Sequence, residues 1–154
     1  MGLAMDFKTA LKDCCICLDL KSSTKQGVIE EMVDMIAAAG KLPNKEEALR
    51  AILEREEKMS TGVQHGVAIP HGKISSIDGL VTALGIKKEG IDFDSLDGQP
   101  SKIFVMTISS TFRTGPHLQF LAEICRLLNS ATVRERILNA KSAEEIITIL
   151  TADN

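Results

Sequence analysis

The stretch Lys102-Ile-Phe-Val-Met-Thr-Ile-Ser109, "KIFVMTIS", decides the fold class together with the segment on its C-terminal side. It is an unbroken β-rich run, of the kind that forms a buried strand. After "STFRTGP" the pattern changes. His117 is followed by Leu118, Leu121, Ile124, Cys125 and Leu128, spaced for one face of a helix. Pro116 suits the first helical position, where its missing N–H is not needed.

Upstream, "LVTALGI" and "GVAIP" are further short β-rich runs, divided by Gly, Pro and Asp, and "DSLDGQP" is a turn by composition. "CICLDL" reads as a short buried strand. Ser23-x-x-Gln26 is a capping box before a helix with Val28, Met32, Met35, Ile36 and Ala39 inside. Gly40 ends that helix in the left-handed conformation, and Pro43 follows. Asn44-x-x-Glu47 opens a second helix with Ala48, Leu49, Ile52 and Leu53 inside. Downstream, "TVRERILNA" is helical, and Ser142-x-x-Glu145 opens a last helix on Ile146, Ile149 and Leu150. The order is strand, two helices, several strands, then helices. This predicts a single α/β domain over residues 1–154, with one mixed β-sheet flanked by helices.

Composition excludes several classes of function. The 154 residues are 44% apolar and 25% charged, as in ordinary globular domains. A net charge of −3 and a pI near 5.6 speak against nucleic acid. No apolar run approaches the roughly 20 residues that span a bilayer, so no direct membrane insertion is expected. "MGLAMDFKTALKD" lacks the basic segment and apolar core of a secretory signal, which predicts a cytoplasmic protein. Cys14, Cys15, Cys17 and Cys125 show no CxxC spacing and are expected to be buried thiols acting as small hydrophobes. In a strand, Cys15 and Cys17 share one face and Cys14 takes the other. No metal or other cofactor is expected, since the three histidines have no ligand spacing.

Two of those histidines share a setting. His71, in "GVAIPHGK", and His117, in "GPHLQF", each follow a proline at a junction between an extended segment and something else. His71 ends a predicted strand. His117 opens a predicted helix, whose free N–H groups favour anions. A neutral imidazole is a competent nucleophile toward phosphorus, and the ordinary histidine pKa near 6.5 leaves it largely neutral. Read alone, each also has a plainer meaning. Either histidine suits a surface or core position, Arg55 in "LEREEKMSTG" suits a solvated charge run, and His65 suits a loop.

"EREEKMSTGVQHGVAIPHGK", "GIDFDSLDGQP" and "HLQFLAEICRLL" together resemble the enzyme IIA domain of the fructose/mannitol type, from the bacterial phosphoenolpyruvate-dependent sugar phosphotransferase system. The resemblance runs from about residue 10 to residue 150. It implies that His71, in the position of the family's "GIAIPHG" histidine, accepts a phosphoryl group. It implies that His117 is a neighbouring donor to the phosphate and Arg55 a charge partner. It implies HPr as phosphoryl donor and an enzyme IIB domain as acceptor. A stand-alone, nitrogen-related branch uses the same chemistry to regulate partner proteins, and that alternative stays open.

Two departures stand out. The family commonly has Asn where this chain has His65, which would supply a donor or a turn. "SSTFRTGPH" is unusual in its Gly-Pro and in Arg113. The partner is expected to meet Val67, Ile69, Pro70, Gly72 and Arg113, on an apolar rim of Val67, Ile69 and the "TFRTGP" loop. Pro70 stiffens the approach, Gly72 leaves room for a partner, and an acidic edge attracts the donor.

Overall fold

The computed structural model describes residues 7–112 and 115–152. In chain order the elements are α1 (Phe7–Lys12), β1 (Cys15–Cys17), α2 (Lys25–Ala38), α3 (Lys45–Lys58), β2 (Val67–Ala68), β3 (His71–Ile74), β4 (Leu80–Ile91), β5 (Ser101–Ser110), α4 (Gly115–Leu128), α5 (Ala131–Leu138) and α6 (Ala143–Thr151). The predicted α/β class and mixed sheet are what the chain adopts. The sheet order is β1-β4-β5-β2, and β3 also pairs with β5. β4 and β5 are antiparallel, while β1 on β4 and both β2 and β3 on β5 are parallel.

β5 lies inside the sheet and is covered on both sides, so it is buried on both faces and carries apolar side chains on each. Ile103 and Val105 point into one core, with α1, α4, α5 and α6. Phe104, Met106 and Ile108 point into the other, with α2 and α3. Each such side chain, when fully buried, contributes about 1.5–3 kcal/mol. Cys14 joins the first core, and Cys15 and Cys17 the second, as strand alternation requires. Burial pushes the Cys14 thiol up to about 12. Cys125 is exposed, contrary to expectation, because it lies on the outer side of α4.

Local signals placed most helix ends. Asn44 Oδ1 accepts from the Glu47 N–H (3.1 Å) and Ser142 Oγ from the Glu145 N–H (3.1 Å). Each cap is worth about 1 kcal/mol. Gly40 has φ 78°, the left-handed conformation expected. The first cap is one residue later than the Ser23 box. Thr24 Oγ1 accepts from the Gly27 N–H (3.0 Å), and Gln26 instead donates to Glu30 (2.9 Å).

Two larger differences bear on function. The buried face of α4 is His117, Phe120, Ile124, Leu127 and Leu128, whereas Leu118 is 61% exposed. Apolar residues also occupy the flanks of the helix (Leu118, Ala122, Cys125), so spacing alone did not set its rotation. His71 begins a strand instead of ending one. The offset between partners is the same before and after the break: Val67 pairs with Ile103 and His71 with Thr107. β2 and β3 are thus one strand interrupted at Ile69-Pro70. Pro70 has no N–H for a ladder, but its carbonyl still accepts from the Thr107 N–H (3.1 Å). Among the described residues, no helix is long and apolar enough to cross a membrane.

Candidate functional site

Strand alternation aims the first histidine. Gly72 and Ile74 are buried on the α2–α3 side, so His71 and Lys73 project to the α4 side. A Cβ on Gly72 would lie 3.1 Å from the Ile52 nitrogen and 3.2 Å from Ala51. The glycine therefore lets α3 pack directly on the strand. Gly72 is buried, so the packing of α3 gives its small size a structural reason, while it still borders the depression beside His71.

His71 is half-buried, and its Nδ1 lies 2.8 Å from the Ile69 carbonyl oxygen. A carbonyl only accepts, so Nδ1 carries the proton and donates. The Nε2 lone pair is then free on the opposite edge of the ring. The break at Pro70 is what turns the Ile69 carbonyl away from the ladder and toward the ring.

The first turn of α4 brings His117 over it. The ring centroids are 5.4 Å apart, with the planes at 51°. His117 is buried, and its Nδ1 has no hydrogen-bond partner. Burial, then the neighbouring His71 and Lys73, push its pKa down to about 4, so it is neutral at pH 7.

Both histidines border an open depression of about 460 Å³. Arg55, Lys58 and Lys73 line it, against one carboxylate, Glu54. Arg55 Nη1 donates to the Met59 carbonyl (2.8 Å), which holds the guanidinium at the end of α3. The α4 N-terminus, whose first turn carries His117, adds the positive end of its dipole. The depression thus joins a nucleophilic nitrogen, a neutral second imidazole and three cations. This set suits an incoming oxyanion. Of the acidic edge expected around it, Glu54 is the one carboxylate in the lining among the described residues, outnumbered by the three cations, because the chain's net charge does not locate its charges.

The structure brings His71, His117 and Arg55 together. The expected partner-contact residues fare differently. Val67 is 5% exposed and belongs to the core, Pro70 and Gly72 are buried under the helices, and Ile69 is half-buried. Arg113 lies outside the described residues. Among the described residues the exposed large apolar side chains are Phe112, in the anticipated "TFRTGP" loop, at 76%, Met59, Leu96 and Leu118, of which Leu118 borders the depression. Lys58 and Lys73 are site residues that sequence reasoning missed, although Lys73 shares a strand face with His71 and Lys58 lies one helical turn after Arg55. "LEREEKMSTG" is not wholly a solvated run either. Glu56 is buried, accepts from the Thr61 N–H (3.1 Å) and hydroxyl, and pairs with Lys25 at 2.9 Å.

His65 does not line the depression. It has φ 60°, and its N–H donates to Asp97 Oδ2 (3.2 Å). Asn, Asp and His are the residues besides glycine that most often accept this left-handed backbone. That explains how a histidine serves where an asparagine is common. A second depression of about 460 Å³, between α4 and Ile69, holds neither His71 nor His117, so size does not distinguish the site; its chemistry does.

The family described as phosphoenolpyruvate-dependent sugar phosphotransferase system, EIIA 2, matches residues 9–153. The chain is 38% identical over 133 residues to the fructose-specific EIIABC component of Bacillus subtilis, covering 86% of this chain and 21% of that protein. It thus spans about a fifth of that multi-component relative. It is 36% identical to the fructose-specific EIIA component of Haloferax volcanii, covering 88% of each. Among solved structures, the nitrogen regulatory protein IIA-Ntr of Neisseria meningitidis superposes with a TM-score of 0.83 at 29% identity, over 92% of this chain and 94% of that one. The mannitol enzyme IIA of Escherichia coli, in complex with phosphorylated enzyme IIB, superposes at 0.74 over 88% of this chain and 92% of that one. At 21% identity it shares the fold alone. On the match of residues 9–153 and on these relatives, the chain belongs to the EIIA 2 family of the phosphoenolpyruvate-dependent sugar phosphotransferase system.

Proposed function

We propose that His71 Nε2 carries the phosphoryl group, taking it from the phosphohistidine of HPr and passing it to an enzyme IIB domain for sugar uptake of the fructose/mannitol class. The observation that carries this reading is the Nδ1–H bond to the Ile69 carbonyl, which leaves Nε2 as the free nucleophile. The Nε2 lone pair attacks phosphorus in line. The N–P bond to the donor imidazole breaks, and its electron pair stays on that ring. His71 keeps its Nδ1 proton and gains positive charge as the new N–P bond forms. The Ile69 carbonyl bond strengthens with that charge. His117 donates to one phosphoryl oxygen, and Arg55, Lys58 and Lys73 offset the anion's charge. Transfer to IIB reverses these steps. The protein works in the cytoplasm, where HPr and IIB would dock transiently.

The test is labelling by phosphorylated HPr. His71→Ala is expected to keep the fold and lose the acid-labile phosphoryl group. Labelling at the normal rate would overturn the assignment. The superposition on a nitrogen regulatory protein supports a second reading, in which the same phosphohistidine controls a partner's binding. Transfer onto a IIB domain encoded beside this chain favours transport. Binding of a non-transport partner that changes with phosphorylation favours regulation.

A further inference from the structure

Beneath the two histidines runs a row of polar side chains to which phosphoryl transfer assigns no part. Thr107 is the strand partner of His71, and Thr82 is the partner of Thr107 across the antiparallel pair. On β5 the odd-numbered residues face α4, so Thr107 projects to the same side as its strand partner His71, whose ring meets His117. Thr107 is 0% exposed, and its hydroxyl has no hydrogen-bond partner. His117 Nδ1 is likewise buried and without a partner. Orphaned buried polar atoms are rare, and two of them on contacting elements beside His71 call for an explanation.

The chemistry of the phosphoryl group supplies one. Its oxygens only accept hydrogen bonds. A neutral imidazole has a single N–H, and it supports those oxygens only if that N–H is on the edge facing the depression. Nδ1 is turned into the protein, so the useful tautomer is Nε2–H. Nδ1 then becomes an acceptor and needs a donor from below.

We propose that Thr107 is a positioning residue whose hydroxyl donates to His117 Nδ1, holding His117 in the Nε2–H tautomer that receives the phosphoryl oxygens. The bond requires Thr107 to adopt the χ1 rotamer that aims its hydroxyl at the α4 side. Ser109 is the nearest rival, being a buried and unpartnered hydroxyl two residues along the same face. It pairs with Lys73, however, and not with the histidine whose ring meets His117. The inference rests on the phosphoryl-transfer reading, but its first test does not need transfer at all.

That test is a two-bond ¹H–¹⁵N correlation spectrum of the histidine-labelled, unphosphorylated full chain near neutral pH. Wild type is expected to show His117 as the Nε2–H tautomer with a hydrogen-bonded Nδ1. Thr107→Val keeps the shape and removes the hydroxyl. It is expected to mix the tautomers and to slow transfer from phosphorylated HPr on the order of tenfold, the scale of one hydrogen bond. Thr107→Ser should restore both, and Ser109→Ala should change neither. An Nδ1–H tautomer in wild type overturns the proposal, whatever becomes of the variants. So does an unchanged tautomer in Thr107→Val, or a shift that follows Ser109→Ala instead. Failure of the transfer reading would be visible separately, as absence of phosphate on His71 while the tautomer result stands.

Discussion

Acidification should destabilise this protein through His117 in a way that can be measured. Its pKa falls from 6.5 to about 4 on folding, first because burial disfavours the imidazolium and then because His71 and Lys73 repel it. The unfolded chain therefore binds the proton more readily, and stability rises with pH across this window. The contribution is complete above the unfolded value. It is lost as pH falls from about 6.5 through about 4. Taken in full, the gap amounts to about 3 kcal/mol. The ring borders an open depression, and water there screens part of the penalty. An effect of about 2 kcal/mol between pH 7 and pH 4.5 is therefore expected.

Carboxylates titrate in the same range, so the comparison must be with a variant lacking only this group. Urea unfolding of wild type and His117→Gln, at several pH values, provides it. The wild-type free energy should fall by about 2 kcal/mol more than the variant's over that interval. Parallel pH profiles would refute the reasoning. They would mean that His117 protonates in the folded state as easily as in the unfolded one, and that it is not a neutral donor at the site.

Gly72→Ala should lower stability by about 1–3 kcal/mol in urea unfolding, since the added methyl meets the α3 backbone; an unchanged midpoint would mean that α3 yields. Arg55→Ala should slow transfer by about 10²-fold with little loss of stability, because its side chain lines the depression and its hydrogen bond among the described residues is to the Met59 carbonyl; equal rates would remove it from the site. Leu118→Asp places a charge on exposed apolar surface beside the histidines. It should weaken transfer from HPr without lowering the melting temperature, and an unaffected rate would move the docking surface elsewhere.

Much of this protein is determined by short-range chemistry, and the sequence shows it directly. Asn44 and Ser142 cap helices because their side-chain oxygens reach the N–H three residues on. Gly40 ends a helix because it accepts a left-handed backbone cheaply. "KIFVMTIS" reads as a strand because it is an unbroken β-rich run with apolar side chains on both faces. His71 and His117 were visible for a similar reason, each being set off by a proline at a junction of elements.

What packing decides lay out of reach. The rotation of α4 was one such feature, since apolar residues also occupy the flanks of that helix. Contact with the sheet chose the face with His117 inside and Leu118 out. The neutrality of His117, the burial of Glu56 and the reason for a glycine at position 72 all depend on what lies across a contact between elements distant in the chain. So does the pairing of His71 with Thr107. Residue type and spacing name the groups that carry the chemistry. Their protonation, their partners and the direction they face are set by neighbours that only the folded chain brings together.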